Sequence, residues 1–236
     1  MARTVGCSPP FGAFRIVAER DLDDVRDAYD DPRDATLDHL RDEGLIRFVQ
    51  IDGDERAAAL TDRGWDVLDG HPRDREEDRG QGFHSGPSRA RELQHDAQLF
   101  RAYLKVEKRL RDEGAEIERI VLERDLRRDH QEFLQEHNRD RPDSDGRPDR
   151  DAREIDEWAR EHDLPYFDDR VHFPDFRIEY EQDGRDRHED IEVVTAHYRG
   201  AHAASRTRAG FTCFRVGGGG SGRGGTPFSP FDREWP

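Results

Sequence analysis

The chain has 236 residues, of which 40% are charged and only 32% hydrophobic. This length accommodates one large domain or two small ones, each with a lean core. No apolar run approaches the roughly 18 residues that a membrane-spanning helix needs. Residues 1–10 lack the cationic start and apolar stretch of a signal peptide. We therefore expect a cytoplasmic protein that does not contact a membrane.

The formal net charge of −16 at pH 7 opposes nonspecific binding to nucleic acid, because phosphate contact needs a cationic face. A DNA-binding protein of this composition needs a local basic patch or strong screening by salt. Two causes of the acidic, lysine-poor composition stay open. A GC-rich genome enriches arginine and aspartate, and a salt-rich cytoplasm selects acidic surfaces.

The first 13 residues read as a flexible tail, and residues 14–70 as the first folded domain. Apolar spacing and turn signals there predict five elements. Gly44 is a suitable helix stop, and Asp52–Gly53 is a strong hairpin turn signal. In chain order, the predicted elements are a helix at 18–29, a helix at 36–43, a strand at 45–51, a strand at 57–61 and a helix at 62–68.

This order of helix, helix, two-stranded wing and helix resembles a winged helix–turn–helix domain. The segments "LDHLRDEGLI" (residues 37–46) and "LTDRGWDVL" (residues 60–68) resemble MarR-type and related winged-helix domains. The resemblance implies that the helix before the wing enters the major groove of double-stranded DNA. The candidate DNA-binding residues are then Arg33, Thr36, His39, Arg41, Arg47 and Arg56. Acidic residues lie among them, so a winged helix that serves only protein interaction is the alternative.

Residues 71–89 are polar and rich in glycine and proline, which predicts a linker. Residues 90–216 read as a second domain. The predicted elements in this domain are helices at 91–113, 123–138, 151–162 and 198–209, and strands at 116–122, 171–181, 188–195 and 211–216, with a flexible excursion at 139–150.

The order of these elements resembles the core of the PD-(D/E)xK nuclease superfamily. The resemblance rests on "HFPDFRIEY" (residues 172–180) and "HEDIEVVTAHY" (residues 188–198). It implies that Asp175 and Glu192 lie side by side on paired strands as catalytic and metal-binding carboxylates, with Glu92 as a third. Such an enzyme uses Mg²⁺, which prefers oxygen ligands, to activate water on a phosphodiester. We therefore expect an α/β (α+β) protein: a winged helix followed by a restriction-endonuclease-like mixed-sheet domain with a helical insertion.

One position departs from the nuclease pattern. The superfamily places a lysine two residues after the second acid, and this chain has Val194 there. Arg199 or Arg206 could supply positive charge but not an amine that readily loses its proton. The second domain is thus either catalytically silent or an unusual Mg²⁺-dependent nuclease.

A winged helix followed by a nuclease-like domain resembles the replication-relaxation family of bacterial mobile elements. That resemblance implies a DNA-binding accessory protein that binds double-stranded DNA, with a relaxase or replication protein as the other candidate partner. It does not assign an activity or an oligomeric state. Residues 217–236 read as a glycine-rich disordered tail with an aromatic end. A third hypothesis is an adaptor whose tail presents Phe228, Phe231 and Trp235 to a partner.

Overall fold

The structure is a computed structural model that describes residues 10–22, 37–69, 80–86, 92–138, 150–194, 208–215 and 227–228. The chain divides into two compact units. The first consists of Met1–Ile120 and Ile178–His188, and the second of Val121–Arg177 and Glu189–Pro236. The described residues form helices and mixed sheets, as an α+β protein should.

The first unit contains a three-stranded sheet flanked by short helices. Its strands are β1 (Val17–Ala18), β2 (Ile46–Asp52) and β3 (Glu55–Leu60), arranged in the order β1-β3-β2 with both pairings antiparallel. The helices are α1 (Pro10–Ala13), α2 (Leu37–Asp42) and α3 (Asp62–Asp69), and residues 19–22 are also helical. Of the helix predicted at 18–29, residues 23–29 lie outside the described residues.

The central strand β3 is packed on both faces because its inner residues are alanines. Ala57 and Ala59 face one core, and Ala58 faces another, as the two-residue period of a strand requires. Helix α4 (Leu93–Asp112) adds Leu93 and Ala97 to the first of these cores. The helix predicted to open the second domain therefore packs in the first compact unit.

Part of the predicted linker at 71–89 is also packed within the first unit. The indole Nε1 of Trp65 donates to the carbonyl of Phe83 at 3.1 Å, and the amide of Gly86 donates to the carbonyl of Leu60 at 2.9 Å. Gln81 and His84 are buried. Residues 80–86 thus form an ordered strap, while residues 71–79 and 87–89 lie outside the described residues.

The remaining elements are organised around a five-stranded sheet of order β10-β9-β8-β7-β4. Strand β9 runs parallel to β8 and antiparallel to β10, so the sheet is mixed. The strands β4, β7 and β8 each contribute residues to both compact units. The bounds are β4 (Glu116–Leu122), α5 (Glu123–Gln135), a 3₁₀ helix (Glu136–Asn138), α6 (Ala152–Glu161), β5 (Tyr166–Phe167), β6 (Arg170–Val171), β7 (Phe176–Gln182), β8 (Arg185–Val194), β9 (Thr212–Arg215) and β10 (Pro227–Phe228).

The strand predicted at 171–181 is wrong in its first half. Arg170–Val171 instead pair with Tyr166–Phe167 in a separate hairpin, and β7 begins only at Phe176. The physical reason is Pro174, which has no N–H to donate to a ladder and separates the two strands. The hairpin turn uses Asp168 and Asp169, both with positive φ, a conformation that aspartate tolerates better than most residues.

Two other predictions meet the structure only in part. Residues 195–207, most of the helix predicted at 198–209, lie outside the described residues, and residues 208–209 are helical. In the tail predicted to be disordered, Pro227–Phe228 form the strand β10. The other residues of that tail, and residues 139–149 of the predicted excursion, lie outside the described residues.

Candidate functional site

A small set of contacts fixes helix α2 relative to the β2–β3 hairpin. The hydroxyl of Thr61 donates to the carbonyl of Gly44 at 2.6 Å and accepts from the amide of Gly64 at 3.0 Å. A Cβ atom at Gly64 would lie 2.0 Å from the carbonyl oxygen of Leu45, so only glycine fits there. The chain thereby joins the end of α2, the start of β2 and the start of α3 at one point.

Helix α2 presents its polar residues to solvent. None of its residues is buried, and Leu37 and Leu40 pack partly against the core beneath it. The guanidinium of Arg41 pairs with Asp38 at 2.8 Å and with Asp42 at 2.8 Å. His39 is exposed, and Arg33 and Thr36 lie outside the described residues.

The hairpin supplies two further predicted arginines. Arg56 donates to both carboxylate oxygens of Glu19, at 3.0 and 2.7 Å, and stacks over the ring of Phe48. Arg47 is exposed on β2 and forms no salt bridge with another described residue. The structure thus places Arg41, Arg47 and Arg56 in one unit, but two of the three already have acidic partners.

The acidic pair predicted in the second domain lies within the second compact unit. Asp175 is 7% exposed and Glu192 is 0% exposed. The Oδ2 atom of Asp175 accepts a hydrogen bond from the amide of Val193 at 2.7 Å. The structure therefore brings Asp175 against the residue that follows Glu192, on the neighbouring strand β8.

The backbone of Asp175 has a structural contact as well. Its carbonyl accepts from the amide of Glu123 at 2.9 Å, which joins the start of α5 to the segment before β7. Glu192 lies opposite Cys213 in the parallel β8–β9 pair. Both acids therefore belong to the buried framework of the sheet.

In this unit, Asp175 and Glu192 would be the ligands of a divalent metal. The surroundings of their carboxylates do not fit Mg²⁺. One Asp175 oxygen is already hydrogen-bonded to a backbone amide, and Glu192 is enclosed, whereas Mg²⁺ usually keeps several waters. Among the described residues, no group of three or more His, Cys, Asp or Glu side chains could hold a metal ion. Glu92 belongs to the other compact unit, where it contacts Arg15 at 3.5 Å.

Sequence reasoning missed a buried arginine beside this pair. Arg177 forms two hydrogen bonds with Asp190, at 2.6 and 3.0 Å, and donates to the carbonyls of His162 and Asp163. A buried charge needs such full pairing. The available signal was an arginine inside an otherwise apolar strand start, "FRI".

A second missed feature is an aromatic cluster around His130. The imidazole lies 4.8 Å from the ring of Trp158 and 5.5 Å from the ring of Phe173. Its Nε2 atom is buried and has no hydrogen-bond partner among the described residues. Burial is the main cause that lowers the pKa of His130, and the charges of Arg127 and His162 act in the same direction.

Comparisons with known proteins identified no relative of this chain. Protein-family models, curated proteins and solved structures gave no match to the chain. None of the described helices is both long and apolar enough to span a membrane.

Proposed function

We propose that the protein is a DNA-binding accessory protein of a mobile genetic element and that helix α2 and the β2–β3 hairpin contact duplex DNA. The observation that carries the proposal is the sheet order β1-β3-β2, with α2 immediately before a hairpin and no residue of α2 buried. Two leucines of this helix pack against the core and its other side chains are exposed, so the helix is available to enter a major groove.

The acidic neighbours of Arg41 lower the affinity of this surface for DNA but do not abolish binding. Exposed ion pairs contribute only about 0.2–1 kcal/mol each, so a phosphate can replace Asp38 or Asp42 at little cost. Arg47 has no acidic partner among the described residues that a phosphate would have to replace. We therefore expect weak binding that depends on Arg47 first and on Arg41 second, and that falls with rising salt.

The five-stranded mixed sheet supports a nuclease-like second domain without catalysis. Asp175 immediately precedes β7 and Glu192 lies on its sheet neighbour β8, and β9 follows parallel to β8, in the element order of the PD-(D/E)xK resemblance. Val194 replaces the lysine, and Asp175 is engaged by a backbone amide. In this proposal the second domain has no catalytic activity, and a relaxase or replication protein is the candidate partner of the chain.

The test is a salt-titrated binding assay of the full chain on duplex DNA. Arg47→Ala should weaken binding and reduce the slope of log affinity against log salt by about one. Asp38→Asn should strengthen binding, because it neutralises one of the two acidic partners of Arg41 and removes a negative charge from the contact surface. The matched control is Arg128→Ala, which removes an exposed, ion-paired arginine of α5 in the second unit.

The acidic surroundings of α2 favour one other candidate function, a protein-interaction module. Residues 37–56 contain the acids Asp38, Asp42, Glu43, Asp52, Asp54 and Glu55 against three arginines. Absence of duplex binding even at low salt would overturn the DNA proposal and leave this candidate. Equal affinity of the wild type, Arg47→Ala and Asp38→Asn would show that any binding uses another surface.

A further inference from the structure

Helix α5 covers the short segment that leads into strand β7. The guanidinium of Arg127 lies over the ring of Phe173, with its Cζ atom 4.8 Å from the ring centroid. At the start of the helix, the amide of Glu123 donates to the carbonyl of Asp175 at 2.9 Å. Phe173 and Asp175 are 3% and 7% exposed. A movement of α5 away from this segment would therefore open residues 173–175 to solvent.

The side chain of His130 joins α5 both to α6 and to this segment. Its ring centroid lies 4.8 Å from that of Trp158 on α6 and 5.5 Å from that of Phe173. Phe133, one turn further along α5, stacks on Trp158 at 5.6 Å. The packing that holds α5 in place is thus largely aromatic, and His130 is its one titratable ring on this helix.

His130 fits this place as a neutral imidazole. Its Nε2 atom is buried and has no hydrogen-bond partner among the described residues. A proton added there would create a buried donor without an acceptor, which destabilises the closed arrangement. The ring regains a hydrogen-bond partner when it reaches water, and that requires α5 to move away from α6. A phenylalanine would fill the same place without this orphaned nitrogen.

The charged groups around His130 also oppose its protonation. Burial is the main cause that lowers the pKa of His130, and the charges of Arg127 and His162 lower it further. The ring of His162, at the end of α6, lies 4.0 Å from that of Trp158, so both histidines contact one indole. The other partly or fully buried titratable side chains of the three packed elements have partners of their own: Glu123 with Arg127, Asp125 with Arg128, Glu154 with Arg150, Asp156 with Arg160, His172 with the carbonyl of Phe167 and Asp175 with the amide of Val193.

We propose that α5 is a pH-sensitive lid over residues 173–175, closed while His130 is neutral and released when His130 takes up a proton. The proton comes from solvent, and only packing contacts and hydrogen bonds change. The opening leaves the five-stranded sheet folded, because local units of a protein open at lower free energy than the whole. This inference does not rest on the DNA-binding proposal.

Hydrogen exchange of the full chain at about pH 7.5 and about pH 5.5 tests the lid, since these values lie on either side of the ordinary histidine pKa of about 6.5. After correction for the pH dependence of intrinsic exchange, the amides of Glu123–Gln135 should lose protection by up to about tenfold at the lower pH. The amides of Ile191, Glu192 and Val193 on β8 should keep theirs. Simultaneous loss of protection in α5 and β8 would mean that the whole protein unfolds, and it would contradict a lid.

Two variants identify the group that responds. His130→Phe keeps a ring beside Trp158 but cannot take up a proton, so its α5 amides should be equally protected at both pH values. His162→Gln is the matched control, because it alters the other histidine on the same indole, and it should keep the pH response. Equal loss of protection in the wild type and in His130→Phe, or loss of the response only in His162→Gln, rules the proposal out.

A titration of the wild type by NMR needs no variant. The midpoint at which the His130 ring becomes protonated should coincide with the midpoint at which the α5 amides lose protection, because the two events are linked. A ring that becomes protonated while α5 remains protected would show that the closed structure tolerates the charge, and the lid would then not respond to pH.

Discussion

At the scale of single residues, the most informative side chain is Asp175. The sequence patterns indicate Asp175 as a candidate catalytic acid, and in the structure its Oδ2 atom accepts a hydrogen bond from the amide of Val193 on strand β8. When a buried backbone donor loses its hydrogen-bond partner, the free energy of unfolding falls by about 1–3 kcal/mol. The role of Asp175 can therefore be decided by stability measurements as well as by activity.

We expect Asp175→Ala to lower the free energy of unfolding by about 1–3 kcal/mol, because it orphans the amide of Val193. Asp175→Asn should lose less, since its amide oxygen can still accept this hydrogen bond. Urea unfolding of the two variants with and without Mg²⁺ measures the difference. If Mg²⁺ stabilises the wild type but not Asp175→Asn, the carboxylate is a metal ligand and the structural interpretation is wrong.

His130 predicts a pH dependence of stability. Burial lowers the pKa of His130 below its ordinary value of 6.5, so the unfolded chain binds the proton first as the pH falls. The contribution of the neutral imidazole is complete above about pH 6.5 and is lost as the pH falls through the folded-state pKa. The positive charges of Arg127 and His162 lower the pKa of His130 further.

The measurement is the thermal midpoint of the wild type and of His130→Phe between pH 7.5 and 5, a range that spans the ordinary pKa of about 6.5. Phenylalanine keeps an aromatic ring beside Trp158 but cannot take up a proton. The difference between the two curves should shift in favour of the variant as the pH falls. His188→Phe, at an exposed position of β8, is the control. Parallel curves for the wild type and His130→Phe would contradict the prediction.

At the scale of elements, the side chain of Gln81 behaves like one residue of an added strand. Its Oε1 atom accepts from the amide of Ile120 at 2.8 Å, and its Nε2 atom donates to the carbonyl of Ile120 at 3.0 Å. Among the described strands, β4 is the last one at this end of the sheet. The buried amide of Gln81 therefore satisfies the backbone of an edge strand.

Gln81→Leu should destabilise the protein by about 1–3 kcal/mol, because it keeps the volume but leaves both backbone groups of Ile120 unpaired. Urea unfolding gives the stability, and hydrogen exchange at the Ile120 amide reports the local effect. The control is Gln94→Leu, which removes one exposed hydrogen bond to Asp52. Equal stability of the two variants would show that the Gln81 contact contributes little.

Local signals explain what could be predicted of these elements. The Asp52–Gly53 turn, the helix stop at Gly44 and the strand at 116–122 each follow from residues adjacent in sequence. The hairpin at Tyr166–Val171 was missed because Asp168 and Asp169 carry its turn without a glycine. The proximity of Asp175 to strand β8 followed from the order of the strands, but its bond to Val193 did not.

The unpredictable part of the candidate sites consists of contacts between distant residues. No pattern near Arg177 indicates that Asp190 and two carbonyl groups will surround it. The pairing of Arg41 with Asp38 is local and could have been anticipated from their three-residue spacing, whereas its contact with the adjacent Asp42 could not. The strand at Pro227–Phe228 was hidden because its glycine-rich surroundings predict disorder.

At the scale of the whole molecule, the compact units do not follow continuous stretches of sequence. Each unit combines two separate segments, and the strands β4, β7 and β8 are shared between them. The sequence placed a linker at 71–89, yet residues 80–86 pack against Trp65 and Leu60. Composition marks where a chain is polar, and it does not show whether a polar segment is held by hydrogen bonds.

The packing of α4 beneath strand β3 has a practical consequence for dissecting the protein. A fragment that stops near residue 70 would lose Leu93 and Ala97, and the alanines above them would face water. A fragment that starts near residue 90 would leave those two apolar side chains without the surface they cover. Cutting the chain in the polar segment at 71–89 would therefore give two fragments with exposed apolar surface, which favours aggregation. Experiments on DNA binding or on the second domain should use the full chain.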